Sequence, residues 1–192
     1  DNRLLRSTLA PFYGRIERML AGMLTRKPVR LEDVSDVVRE HLFDVDLQGN
    51  DLNVWTYEVA RKCVRYGHVG VLVDAPAAGQ NGRPYWVSYT PRDILGWRSE
   101  IADGKQMLTQ LRLKEELTVP DGLYGEKRVE QVRVLTPGAF ELHQKNDRGD
   151  YEVVDEGRTS LSEIPFSVAY SNRVSVLESR PPLADIAELN LK

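Results

Sequence analysis

The side chains with the widest chemical repertoire are few in this chain, and they are scattered. Its one cysteine is Cys63, and its three histidines are His41, His68 and His143. No histidine shares a metal-ligand spacing with another His, Cys or acid, so no metal site is expected. A lone cysteine excludes an intrachain disulfide and an all-cysteine metal site, and it fits a reducing compartment. Phosphate chemistry has no motif either: no glycine-rich loop leads into Lys and Ser or Thr, and Gly67 and Gly70 precede an apolar run rather than a helix. Asp74, Arg83 and Arg92 flank apolar segments and could form a functional cluster. Pairing with one another or with backbone at a sheet edge is the simpler account. Arg148-Gly149-Asp150 spells an adhesion tripeptide, yet a turn explains Gly149 and its polar neighbours without it. The expectation is a protein with no catalytic residues, no cofactor and no metal.

Bulk composition bounds the class. The chain has 192 residues, 41% hydrophobic and 29% charged, with a net charge of −3. Those proportions belong to a globular chain forming one ordinary domain or two small ones, not to a disordered one. The net charge gives no overall electrostatic case for coating DNA or an anionic membrane. No apolar run approaches the ~20 residues needed to span a bilayer, and no signal peptide is expected. The sequence begins with Asp1 rather than Met, and 182–192 reads as a helix that stops without a cap, so a piece of a longer protein is expected.

The elements that must position these residues are helices first and strands second. Leu5, Leu9, Phe12, Ile16, Leu20 and Met23 step by three or four and predict a buried helical stripe. Pro11 kinks or restarts it, Ser7 or Thr8 caps a first short turn, and Lys27-Pro28 closes it. A second helix is predicted over 31–42, with Val34, Val38 and Leu42 in line. A third runs from an Asn50 or Asp51 cap through Leu52, Trp55, Val59, Cys63 and Tyr66 to Gly67, in the left-handed position that ends helices. On this face Cys63 reads as a small core filler rather than a nucleophile.

From Gly67 the pattern changes. Val69-Gly70-Val71-Leu72-Val73 predicts a strand covered on both faces, and a small polar loop joins it to the aromatic strand Tyr85-Trp86-Val87-Ser88-Tyr89. Thr90-Pro91-Arg92-Asp93 carries a cap residue, a proline and an acid, which predicts one or two helical turns over 91–97. Met107, Thr109, Leu111 and Leu113 alternate as a half-buried strand. Pro120-Asp121-Gly122 marks a turn, and the phase change between Val129 and Val132 predicts a bulge. Phe140 and Leu142, Tyr151 and Val153, then Phe166, Val168 and Tyr170 continue an antiparallel meander. The fold class is α+β: helices over 1–67 packed on an antiparallel β-meander over 68–180, with a further helix beginning in 181–192.

Charge is unevenly shared along the helical part. Arg3, Arg6, Arg15, Arg18, Arg26, Lys27 and Arg30 have only Asp1 and Glu17 as local opposition, whereas Glu32, Asp33, Asp36, Glu40, Asp44, Asp46, Asp51 and Glu58 surround Arg39. Two readings stand. The faces pair within one chain, or a basic surface meets the acidic surface of a neighbouring copy head to tail. The second makes Arg15, Arg18, Asp33 and Asp36 candidate subunit-interface residues.

Several segments, taken in order, resemble a known family. They are 46–67 (DLQGNDLNVWTYEVARKCVRYG), Gly70-Val71-Leu72-Val73-Asp74, 83–98 (RPYWVSYTPRDILGWR), 104–114 (GKQMLTQLRLK), Ile164-Pro165-Phe166 and 181–190 (PPLADIAELN). Their order and spacing are similar to the N-terminal part of tailed-bacteriophage and prophage portal proteins, in a group classed as a phage domain of unknown function. The likeness runs over about residues 10 to 192 and is strongest at the tyrosine-rich strand with the Pro91–Trp97 turn. It implies the wing of a homo-oligomeric, dodecameric ring at one capsid vertex, through which double-stranded DNA is packaged and ejected. It further implies a separate terminase ATPase as the energy source, capsid and adaptor or tail proteins as partners, and a place in the virion, with the host cytoplasm as the site of assembly. The last helix would lead to a stem that is not recognisable in this chain. The alternatives are a head–tail adaptor or tail-associated module and, behind it, an unrecognised enzyme.

Overall fold

The computed structural model of the chain describes residues 12–76, 82–146 and 148–189. The architecture is α+β. Among the described residues, three helices, α1 (Phe12–Leu24), α2 (Asp36–His41) and α3 (Leu52–Tyr66), precede ten strands, and a short helix α4 (Ala184–Leu189) follows them. The strands are β1 (His68–Asp74), β2 (Tyr85–Tyr89), β3 (Ile94–Ala102), β4 (Lys105–Asp121), β5 (Gly125–Thr136), β6 (Ala139–Lys145), β7 (Tyr151–Arg158), β8 (Phe166–Tyr170), β9 (Arg173–Ser175) and β10 (Glu178–Ser179). They form a five-stranded antiparallel meander β3-β4-β5-β6-β7, a three-stranded sheet in the order β2-β1-β8 and the ribbon β10-β9. Two compact units interleave along the chain, one of residues 1–69, 75–88 and 168–192, the other of residues 70–74 and 89–167. Among the described residues, no helix is long and apolar enough to cross a membrane.

In the first unit α3 is the best-specified element. The Asp51 carboxylate accepts from the backbone N–H groups of Asn53 at 2.8 Å and Val54 at 2.9 Å, satisfying two donors the helix start leaves open. At the other end Gly67 adopts φ 89 and its N–H donates to the Cys63 carbonyl at 2.8 Å. A Cβ at Gly67 would run into the Ser179 side chain, so glycine is required there twice over. Cys63 and Val64 are buried, and the Cys63 thiol donates to the Ala169 carbonyl at 3.4 Å.

The stripe predicted for α1 is not the one that is buried. Leu5, Leu9, Pro11 and the Ser7 or Thr8 cap lie outside the described residues. Ile16 and Leu20 are half-buried, but Phe12 and Met23 are 59% and 64% exposed, and the buried residues are Glu17 and Ala21. Glu17 is placed inward because Arg61 of α3 meets it there at 3.2 Å. Ala21, one turn on, is small enough for two helices to approach closely. The second helix is also shorter than predicted. Asp33 sits at φ 56 and Ser35 is extended, so helical geometry begins at Asp36 and none of its residues is buried.

In the second unit three predictions need correction. The helical turns expected over 91–97 are a turn followed by strand: Asp93 accepts from the Thr90 N–H at 2.8 Å and the Thr90 hydroxyl at 2.6 Å, and β3 starts at Ile94. The capping chemistry was real, but ladder pairing with β4 claims the residues that would have continued a helix. No bulge interrupts β5 against β4, where the register runs unbroken from Leu111↔Leu135 to Asp121↔Gly125. Val73, expected inside, is 43% exposed. The core of this unit is built from Leu72, Tyr89, Leu111, Leu113, Leu135 and Ile164.

Gly70 in β1 lies against the ring of Phe166, where a Cβ would overlap the aromatic carbons. Gly70→Ala is expected to cost on the order of 1–3 kcal/mol by overpacking, with Phe166→Leu in the same chain recovering part of it. Urea midpoints of the three variants check this. An unchanged midpoint for Gly70→Ala would mean that the ring yields freely.

Candidate functional site

The four residues proposed from charge pattern lie on exposed surface. Arg15 and Arg18 project from α1, Asp33 precedes α2 and Asp36 opens it. None of the ion pairs among the described residues includes any of the four, and none joins the basic stretch 12–30 to the acidic stretch 32–58. The ion pair that links α1 to α3 uses residues of the opposite sense, Glu17 and Arg61.

Among the described residues, Asp74 and Arg83 each pair with another residue. Asp74 binds Arg133, with Oδ2 3.2 Å from Nη1. Arg83 binds the Asp44 carboxylate at 3.1 Å and His41 Nδ1 at 2.9 Å. Each histidine has a local partner: His68 Nδ1 meets Ser179 Oγ at 2.8 Å, and His143 Nε2 meets the Glu141 carboxylate at 2.8 Å. Burial holds both His68 and His41 below the usual imidazole range, and the charge of Arg83 adds to the effect on His41. Burial likewise pushes the Cys63 thiol up to about 11, which keeps it un-ionised near neutrality.

The densest polar constellation lies inside the second unit, and none of its partners was singled out from sequence except Asp74. Glu115 of β4 accepts from the Tyr89 hydroxyl at 2.6 Å and from Arg133 Nε at 2.7 Å through one oxygen. Its other oxygen accepts from Gln131 Nε2 at 2.5 Å. Gln144 of β6 donates to Gln131 Oε1 at 3.2 Å, so the chain of contacts crosses three strands of the meander and ends at Asp74 of β1. The side chains of Glu115, Arg133 and Asp74 are 11%, 16% and 15% exposed. Burial, and then the adjacent Glu115 charge, drive the Tyr89 phenol far above its usual range. For Arg133 burial alone would favour loss of charge, but Glu115 and Asp74 outweigh it and raise its basicity further. Two carboxylates, one guanidinium, two amides and one phenol thus hold one another. The arrangement fixes strands; it presents no activated nucleophile.

The signal for this network was in the alternation. Leu111, Leu113 and Glu115 share one face of β4, and Leu135, Arg133 and Gln131 share the facing side of β5. Two polar residues at core-phase positions of β5, Gln131 and Arg133, are what broke the hydrophobic pattern near Val129 and suggested a bulge.

A second place of interest is a depression of about 340 Å³ in the first unit, lined in part by Trp55, Trp86, Tyr85, Glu58 and Lys62. The two indoles meet edge to face with centroids 5.0 Å apart. Its charged groups are engaged: Lys62 Nζ donates to Ser88 Oγ at 2.6 Å, and Glu58 accepts from Arg61 at 3.0 Å. Among the described residues no group of three His, Cys, Asp or Glu side chains could hold a metal ion.

Arg133→Met leaves two buried carboxylates without their cation and is expected to cost about 3–5 kcal/mol, read as a urea midpoint. A loss below about 1 kcal/mol would mean that water replaces the guanidinium. The Tyr89 proton is held more tightly in the folded than in the unfolded chain, so its contribution is complete below about pH 10 and is lost as pH rises above that. Tyr89→Phe should therefore flatten the alkaline fall in the urea midpoint relative to wild type. Parallel curves would sink this assignment.

Compared with models of known protein families and with curated proteins, the chain matches none.

Proposed function

We propose that this chain is the wing region of a phage portal protein, a structural subunit of the head–tail connector ring through which double-stranded DNA is packaged and ejected. The observation that carries the reading is the order and spacing of the segments from Asp46 to Asn190, above all the aromatic strand followed by Pro91-Arg92-Asp93-Ile94-Leu95-Gly96-Trp97. An α+β architecture with helices first agrees with it. So does a surface on which Arg15, Arg18, Asp33 and Asp36 are exposed and outside every ion pair formed by the described residues. Such a wing works by burying surface against copies of itself and against capsid, while a terminase ATPase supplies the energy for DNA movement. Its place is the capsid portal vertex, reached by assembly in the host cytoplasm. Tail or adaptor proteins dock on the finished ring.

Electron micrographs of the protein should show rings, and monomers at every salt concentration would overturn the reading. Rings from a chain whose gene has no stem helices after this region would move the assignment to a head–tail adaptor. The basic and acidic faces give a second expectation. Arg15→Glu/Arg18→Glu should weaken assembly roughly tenfold, and Asp33→Lys/Asp36→Lys in the same chain should restore it, with the urea midpoint of the monomer unchanged. A lowered monomer midpoint with assembly intact would make the contact internal.

A further inference from the structure

One part of the meander leaves the sheet. β3 pairs with β4 as far as Leu113, and β6 pairs with β5 from Gln131. Among the described residues, the pairs from Glu116↔Glu130 to Asp121↔Gly125 therefore have no third strand beside them. At about 3.4 Å per residue this free ribbon is roughly 17 Å long. A two-stranded ribbon is marginal in water by itself. This one even sets Glu116 opposite Glu130, offset by the diagonal pairs Lys114–Glu130 at 2.7 Å and Arg128–Glu116 at 3.5 Å. Its tip carries Leu123 and Tyr124, 84% and 95% exposed, between the carboxylates of Asp121 and Glu126. The turn does not require them: Gly122, at φ 72, supplies the left-handed residue, and polar side chains would close it as well.

The first unit has a feature of complementary character. Between the chain leaving α1 and the first half of α3 lies a depression of about 460 Å³, walled by Pro28, Val29, Val54 and Tyr57, with Arg26 and Lys27 at its side. Val29 and Val54 are 41% and 48% exposed. The volume is in the range that holds a drug-sized ligand, ample for one leucine and one tyrosine side chain. An apolar tip between two acids matches an apolar hollow beside two bases in both polarity and charge. Leu123 and Tyr124 are left 84% and 95% exposed, so the tip has apolar surface to offer a partner.

We propose that the β4–β5 tip of one copy seats in the α1–α3 hollow of the next, so that Leu123 and Tyr124 fill it while Asp121 and Glu126 face Arg26 and Lys27. The two surfaces differ, so the contact is heterologous and repeats from copy to copy. This inference rests on the self-assembly in the proposed function and names a surface through which it proceeds. It is separate from the Arg15 and Arg18 face.

The test mixes Leu123→Cys protein with Val54→Cys protein under mild oxidation. Native Cys63 is 7% exposed and its thiol is pushed up to about 11, so it stays out of the reaction. A disulfide-linked pair should form in the mixture and in neither protein alone. Asp121→Lys/Glu126→Lys should weaken self-association roughly tenfold, and Arg26→Glu/Lys27→Glu in the same chain should restore it. If wild type assembles while the mixture gives no linked species and the reversed tip assembles normally, the hairpin contact is overturned and self-assembly stands. If wild type stays monomeric at every concentration, both fall. A Leu123→Cys/Val54→Cys double variant that closes a disulfide within one copy, at a rate independent of concentration, also overturns the proposal.

Discussion

Glu115 occupies a position where the alternation of β4 calls for an apolar side chain, and the second unit is organised around making that placement tolerable. A carboxylate removed from water carries a desolvation cost of several kcal/mol unless it is paired and hydrogen-bonded. Here the phenol of Tyr89, the guanidinium of Arg133 and the amide of Gln131 all point at it. Tyr89 comes from β2 and Arg133 and Gln131 from β5, so these strands must meet β4 in one register for the set to close. A slip of one residue would turn Glu115 and Arg133 to the opposite face and bring Lys114 and Val132 inward. Leucines of the same size would fill the space and bind the strands as strongly, but they would penalise a slip far less.

The first unit solves a different problem with smaller means. Its buried apolar residues are small or dispersed along the chain, Ala21, Val45, Cys63, Val64, Val69, Leu177 and Leu183, and polar pairs join them: Glu17 with Arg61 and His68 with Ser179. Local chemistry adds to the order through the Asp51 cap and the left-handed Gly67. Even with Ile16 and Leu20 half-buried and Glu17 held by Arg61, α1 leaves Phe12, Met19, Met23 and Leu24 largely exposed. Exposure of this kind is what a subunit that completes its burial against copies of itself would show. The tip-in-hollow contact would cover other exposed apolar residues, Val29 and Val54.

How much of this was legible in the sequence depended on whether the deciding contact was local. Helix α3, with its cap, its apolar face and its terminal glycine, could be read directly because those signals act within a turn or two of the chain. So could the alternation of β4, the turns and the α+β order. The α1 stripe was misread because Arg61, more than forty residues away, draws Glu17 inward, and periodicity sees only the apolar residues. Pro91 to Trp97 was misread because a cap signal cannot reveal that a strand will pair with the same residues. The buried network went unrecognised for a related reason: Glu115, Gln131 and Arg133 look like solvent-facing residues out of phase until their partners are known. By itself, then, the sequence determined the class of fold, the element order and the charge asymmetry of the helical part, all set by neighbours along the chain. Only the tertiary structure decided which faces are buried, which carboxylates meet which cations and which apolar residues remain uncovered, because those depend on distances between residues that the chain's order leaves free.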